Sequence, residues 1–375
     1  MGEALKRHFG QPVIRALADQ IRAVQPGFNT RAFIREAVDG FDALELMPRG
    51  LHLARVLRRH LPQDEAEAIA ILCRAARLPR PELGAGAMAA FFYLPHVTFV
   101  AEYGLPCFEA SMQAQHELTQ RFSAEFSIRA FLEHDEARTL ARLHEWTRDP
   151  SEHVRRLVSE GTRPRLPWAR RLRRFQKDPT PVLALLETLK DDPSLYVRRS
   201  VANNLNDIGR DHPAVLLATA ARWMADADQN RRALVSHALR SLVKAGDLDA
   251  LAVLGFGHHA GLRLADVNLA PARVAIGGTI AVTAQFSNPG RGPQAALVDM
   301  RVHFVKADGD TRPKTFKLGV VSVPGGGTAT LRKTISLRQM TTRRHYPGLH
   351  RVDFLVNGRL TSGPRFEVVR AGSRV

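Results

Sequence analysis

DPSEHVRRLVSEG (residues 149–161) and DPSLYVRRSVANN (residues 192–204) repeat one pattern at an offset of 43 residues. Asp149 matches Asp192, Pro150 matches Pro193, Ser151 matches Ser194 and Val154 matches Val197. The pair Arg155-Arg156 falls on Arg198-Arg199. A looser third copy, DADQNRRALVSHAL (226–239), places Arg231-Arg232 in the matching stretch. Asp followed by Pro begins a helix well, because the Asp side chain caps free N–H groups and Pro fits the first turn. Upstream, PVIRALADQIRAV, TRAFIREAV, LHLARVLRRHL and EAEAIAILCRAAR place apolar residues three and four apart, the helical period. Helix pairs repeating every 40–47 residues or so are the mark of HEAT or armadillo arrays, which stack into a curved solenoid with a concave face. Residues 1–255 are expected to form a mainly α, HEAT-like repeat domain.

The pattern changes after GFGHHAGLRL (255–264). Short alternating runs follow: RVAIGG, TIAVTAQFSN, ALVDMRVHFVK, KTFKLGVVSV, TATLRKTISL, HRVDFLVNG and RFEVV. Turn clusters such as NPGRGP, DGD, PGGG and YPG separate them. This spacing predicts an antiparallel β-sandwich of immunoglobulin type over 266–375, with 256–265 as a linker.

Lys and Arg number 54 against 37 Asp and Glu, a formal charge of +17. The surplus is concentrated: residues 263–375 hold 18 basic and 6 acidic side chains. Such a field attracts polyanions, nucleic acid above all. Cys73 and Cys107 form neither a disulfide framework nor a zinc-ligand set, and they are expected to pack within helices. His258-His259 lacks a second ligand cluster, so no metal or other cofactor is expected. MGEALKRHFGQP lacks the apolar core of a secretory signal, and AMAAFFYLPHVTFVAEYG is interrupted by Pro95 and His96 and is too short to span a bilayer. The reading is a cytoplasmic protein with no membrane partner. PGGGT (324–328) has no following Lys-Ser/Thr and precedes a strand, so it reads as a hairpin turn rather than a phosphate loop. No G-x-S-x-G arrangement supports acyl-transfer chemistry.

The acids of the repeats are the chemical candidates. Glu160 sits at the end of its helix, where the dipole disfavours an acid by roughly half a kcal/mol. Adding the offset to Glu160 gives Asn203, and one turn further on the same face comes Asp207. Glu125 lies 35 residues before Glu160. Three successive repeats thus bring Glu125, Glu160 and Asp207 toward one surface. The structural alternative is ion pairing within a repeat, since Arg156 and Glu160 are i,i+4 neighbours. Trp168 follows P-R-L-P among Arg163, Arg165, Arg170 and Arg171. It reads either as a core aromatic or as a stacking surface for a base or sugar.

SEGTRPRLPWA (159–169) and DDPSLYVRRSVANNLNDIGRDHP (191–213) resemble the signature segments of AlkC-type DNA alkylation repair proteins, in the superfamily of HEAT-like-repeat glycosylases that also holds the AlkD type. TTRRHYPGLHRVDFLVNG (341–358) is similar to the immunoglobulin-like domain of many AlkC proteins. The resemblance implies hydrolysis of the N-glycosidic bond of cationic N-alkylated bases in duplex DNA, chiefly 3-methylcytosine and 1-methyladenine, with 3-methyladenine a further candidate. It places the functional carboxylates on Glu160, Asp207 and Glu125, and the lesion contacts on Trp168 and Arg156. Arg155, Arg163, Arg165, Arg198 and Arg199 on the repeats are candidates for the DNA backbone. On the β-domain, an auxiliary contact, the candidates are Arg338, Arg343, Arg344 and His345, with a solvated β-turn as the plain alternative for the loop TTRRHYPG. The expected form is a monomer, held at the nucleoid through DNA. The alternative is a non-enzymatic repeat scaffold binding DNA or protein, because fold alone does not fix function.

Overall fold

The computed structural model describes residues 9–83, 86–257, 261–340 and 343–370. His258-His259 and the loop residues Thr341 and Thr342 lie outside them. The chain divides into two compact units, Met1–Pro213 and Ala214–Val375.

The first unit is helical throughout, and its helices follow the apolar periodicity. Gln11–Val24 buries Val13, Ile14, Leu17, Ala18 and Ile21 along one stripe, and Glu65–Arg77 buries Ala68, Ile69, Ile71, Leu72 and Ala75. The two repeats become the helices Glu152–Gly161 and Leu195–Ile208, which pack on each other. The starts of these helices differ from expectation by two residues. Ser151 and Ser194 occupy the cap positions. Asp149 and Asp192 instead stand two residues earlier and accept the amides of Ser151 and Ser194, both at 2.8 Å. An Asp before Pro folds its carboxylate onto the backbone two residues on, leaving the cap to the Ser. The first Arg of each pair closes the same turn. Arg155 donates to the Asp149 and Pro150 carbonyls, and Arg198 donates to those of Asp192 and Pro193. In the second unit Arg232 donates to the Ala227 carbonyl across 2.9 Å, which makes Arg232 the counterpart in the third copy.

The repeat helices end differently. A Cβ at Gly161 would meet Ile128 Cγ2 at 2.4 Å, so only glycine lets this helix approach its neighbour so closely. In the second unit the helices Pro213–Met224, Gln229–Ala238, Arg240–Ala245 and Leu248–Val253 precede the strands.

Eight strands form two sheets. The first, in the order β1-β3-β6, joins Arg263–Ala270, Thr279–Ser287 and Thr328–Ser336. The second, in the order β2-β8-β7-β4-β5, joins Arg273–Ala275, Arg359–Val369, Gly348–Val356, Gln294–Val305 and Thr311–Val323. Ile280, Val282, Ala284 and Phe286 from one sheet meet Val298, Met300, Val302 and Phe354 from the other. Two features correct the sequence reading. Strand β1 begins inside the expected linker, pairing Arg263 with Ser287. The alternation there is weakened by Asp266 and Asn268, residues disfavoured in strands. The PGGGT turn is not a hairpin but a crossing between the sheets. There the Gly326 amide donates to the Asn288 and Gly290 carbonyls, and a Cβ at Gly325 would lie 2.1 Å from the Arg291 oxygen.

Candidate active site

Glu160, Asp207 and Glu125 come together in the first unit, and two arginines link them. Arg163 Nη1 donates to Glu160 Oε1 at 2.7 Å, and its Nε donates to Asp207 Oδ2 at 2.8 Å. Arg156 Nη1 donates to Glu125 Oε2 at 2.6 Å, and its Nη2 lies 3.3 Å from Glu160 Oε1. The result is an alternating row: Glu125, Arg156, Glu160, Arg163, Asp207. Hydroxyls complete it. Ser200 Oγ donates to Glu160 Oε2 at 2.6 Å, and Ser123 Oγ donates to Glu125 Oε2 at 2.8 Å. Arg156 also lies over the Tyr196 ring, 5.0 Å from its centroid.

The acids sit at the edge of burial. The side chains of Glu160, Asp207 and Glu125 keep 7%, 6% and 15% of their surface, so they are poorly hydrated yet open to contact. Charge interactions are stronger in such a place than in open water. Burial pushes the Asp207 carboxyl above its ordinary range, and the Arg163 bond acts against that shift. Among the described residues Asp207 is bonded through Oδ2 alone, leaving Oδ1 for water. Both oxygens of Glu160 are engaged.

Trp168 is 65% exposed and held at φ +64°, a left-handed conformation rare for a bulky residue. It stands in the loop between Gly161 and the helix Arg173–Lys177, and it lines a cleft of about 280 Å³ with Phe126, Arg129 and Glu133. Arg129 is buried beneath this loop. Its Nη1 donates to the Gly161 and Arg163 carbonyls at 3.0 and 2.8 Å, and its Nη2 donates to the Arg170 carbonyl. Burial pulls the guanidinium down to about 10.

The arginines expected at phosphates divide into two groups. Arg155, Arg163 and Arg198 turn inward. Arg155 pairs through two nitrogens with Asp192, at 2.6 and 3.1 Å, joining one repeat to the next. Arg165 pairs with Asp211 through Nε at 2.9 Å and through Nη2. His345 is also inside, 3% exposed and pulled down to about 4 by burial and by Arg343 beside it. These inward positions follow from available acceptors: a guanidinium near a carboxylate or an open turn is better satisfied there than in water. Arg199, Arg338 and Arg344 are exposed, as are Arg170 and Arg171 beside Trp168. Arg343 packs over Phe304 and Phe316, and with Lys306, Arg312 and Arg344 it lines a cleft of about 400 Å³. Among the described residues no His, Cys, Asp and Glu cluster could hold a metal, and no helix is long and apolar enough to cross a membrane.

A helical repeat unit bearing a carboxylate row, followed by an immunoglobulin-like sandwich, is a known combination. Residues 263–370 match the family described as the uncharacterised protein YhaZ, C-terminal Ig-like domain. The uncharacterized protein YhaZ of Bacillus subtilis is 34% identical over 365 residues, covering 97% of this chain and 99% of that protein. The structure of Pseudomonas fluorescens alkylpurine DNA glycosylase AlkC, bound to DNA containing an abasic site analog, superposes with a TM-score of 0.88. It shares 38% identity over 97% of this chain and 99% of that one. The chain belongs to the AlkC family of DNA glycosylases.

Proposed function

We propose that this protein excises cationic N-alkylated bases, among them 3-methylcytosine, 1-methyladenine and 3-methyladenine, from duplex DNA by hydrolysing the N-glycosidic bond. The observation that carries the proposal is the row of three weakly exposed carboxylates in a chain so similar to a DNA-bound glycosylase.

A base alkylated to a cation leaves as a neutral molecule and needs no general acid. The barrier is the positive charge that develops on the deoxyribose as the C1′–N bond stretches. Preorganised carboxylates stabilise that charge without having to reorganise. Glu160, with both oxygens fixed by Arg163 and Ser200, supplies field at a set position. Asp207 has the open Oδ1 and the raised proton affinity suited to orienting and deprotonating water. Glu125 adds charge at the other end of the row. Trp168 offers its ring face to the lesion nucleotide, and Arg156, bonded within the acid row, is the second lesion contact. Arg170, Arg171 and Arg199 are suited to phosphates, as are Arg338, Arg343 and Arg344 on the β-domain. We assign 1–255 as the HEAT-like catalytic domain, 256–265 as the connection and 266–375 as the auxiliary DNA contact, acting in the cytoplasm as a single copy.

The test is chromatographic detection of free base after incubation with duplexes carrying each of the three lesions. Release from at least one supports the proposal, and release from none overturns it.

A further inference from the structure

We infer that Arg156 and Arg163 are positioning residues that fix the carboxylate row at one net negative charge, the complement of a transition state carrying a single positive charge. This rests on the glycosylase reading and adds to it the device that selects the lesion class.

Three carboxylates confined together with little water do not all stay ionised by themselves, because like charges at one site raise one another's proton affinity. Here Arg156 separates Glu125 from Glu160, at 2.6 and 3.3 Å, and Arg163 separates Glu160 from Asp207, at 2.7 and 2.8 Å. Guanidinium does not lose its proton under these conditions. Three acids held against two permanent cations leave one negative charge. The neighbours do not alter that balance. Arg129, from the helix Ile128–His134, is buried and faces Glu133 on its own helix ahead of Arg163, Glu125 and Asp207 of the row, so Glu133 offsets its charge. Arg165 is bonded to Asp211. Arg210 is exposed, where solvent screens it. Tyr196 and Ser200, from the helix Leu195–Ile208, face the row as neutral groups, as does Ser123.

The chemistry makes this charge selective. When the C1′–N bond of a cationic lesion breaks, its electron pair returns to the base nitrogen, which becomes neutral, and the sugar takes the positive charge. Water then adds to C1′ and gives up a proton. One positive charge is present throughout, and one negative charge meets it. A neutral base departs with a negative charge of its own, into a site that already holds an excess of that sign. Without the arginines the row would instead take up protons and lose the charge that stabilises the sugar cation.

The experiment uses the full chain with Arg163→Gln and Arg163→Lys. The carboxyl carbons are followed by ¹³C NMR titration, with Asp207 assigned through Asp207→Asn, and single-turnover release of 3-methylcytosine is measured against pH. In Arg163→Gln the Asp207 titration and the acid limb of the rate should both move up by about one pH unit or more. On the acid limb, below both titrations, the rate at a given pH should fall about tenfold and recover as pH rises toward neutral, because there the ionised fraction changes about tenfold for each pH unit. Arg163→Lys, with its charge kept, should titrate close to wild type. An Asp207 titration unmoved in Arg163→Gln, or a rate loss constant with pH, overturns the inference. Failure of the wild type to release base from any of the three lesions would overturn the glycosylase reading instead, while the titration still decides the charge arrangement.

Discussion

Nη1 of Arg129 donates to the main-chain oxygen of Arg163 across 2.8 Å, and through this bond a buried cation fixes a loop rather than an acid. With the Gly161 and Arg170 carbonyls it makes three such contacts, gathering both ends of the segment that carries Trp168. Replacing Arg129 with Met would leave three carbonyls without their donor. Each buried unsatisfied group costs about 1–3 kcal/mol. Arg129→Met is therefore expected to lose several kcal/mol in urea unfolding, with Arg129→Lys recovering part. A loss below about 1 kcal/mol, the lower bound for one such group, would mean that water replaces the guanidinium.

Trp168 combines exposure with a left-handed backbone. A side chain in that conformation costs roughly 1–2 kcal/mol that glycine avoids. Trp168→Gly should thus be more stable than Trp168→Ala by about 1 kcal/mol, after the greater entropy of unfolded glycine is deducted. Both should lose at least about fivefold in single-turnover excision, since stacking on a base contributes about 1–3 kcal/mol. Thermal melts and lesion-release rates on the two variants check the pair of expectations.

The Arg155–Asp192 pair joins consecutive repeats, with Asp192 keeping 3% of its side-chain surface. Asp192→Ala removes that partner and the turn bond to Ser194 at once. Breaking a buried pair from one side costs about 3–5 kcal/mol. Denaturant midpoints should show Asp192→Ala losing about 3 kcal/mol, well beyond the loss from alanine at the exposed ion pair of Glu109 with Arg138 and Arg142.

Burial pushes Asp299 in the β-domain up to about 6. For an acid raised in the folded state, stabilisation is present below the unfolded value of about 3.9 and is lost as pH rises through the folded one. The stability of wild type minus that of Asp299→Asn should therefore fall by about 2–3 kcal/mol between about pH 4 and roughly pH 6.5, then level off. Taking the difference removes the contributions of the buried histidines. A difference flat with pH would show that Asp299 stays ionised in the fold.

Much of this was legible in the sequence because the repeat carries its own ruler. The 43-residue offset placed Glu160 and Asp207 on neighbouring helices, and the apolar periods gave the helices themselves. The arginines were less legible. Charge can be read from sequence, whereas direction depends on which acceptor lies nearby, so Arg155, Arg163 and Arg198 looked like surface groups and proved internal. Ser200 was missed although a signal existed: it stands where the other copies have Leu157 and Leu234, and a hydroxyl at an apolar position of a repeat needs a partner. Arg129 had no such signal, since its acceptors are carbonyls of a loop 32–41 residues away. Strand β1 escaped because Asp266 and Asn268 interrupt its pattern.

The most direct test of the carboxylate row is the single-turnover rate of 3-methylcytosine release by wild type and by Glu160→Gln, with binding to undamaged duplex measured alongside. Gln keeps the shape and the bond from Ser200 but removes the charge. A rate lower by about 10²-fold or more, the scale for losing one preorganised electrostatic group, is expected with DNA binding within twofold or so of wild type. Equal rates for the two proteins would contradict a role for that charge in breaking the bond.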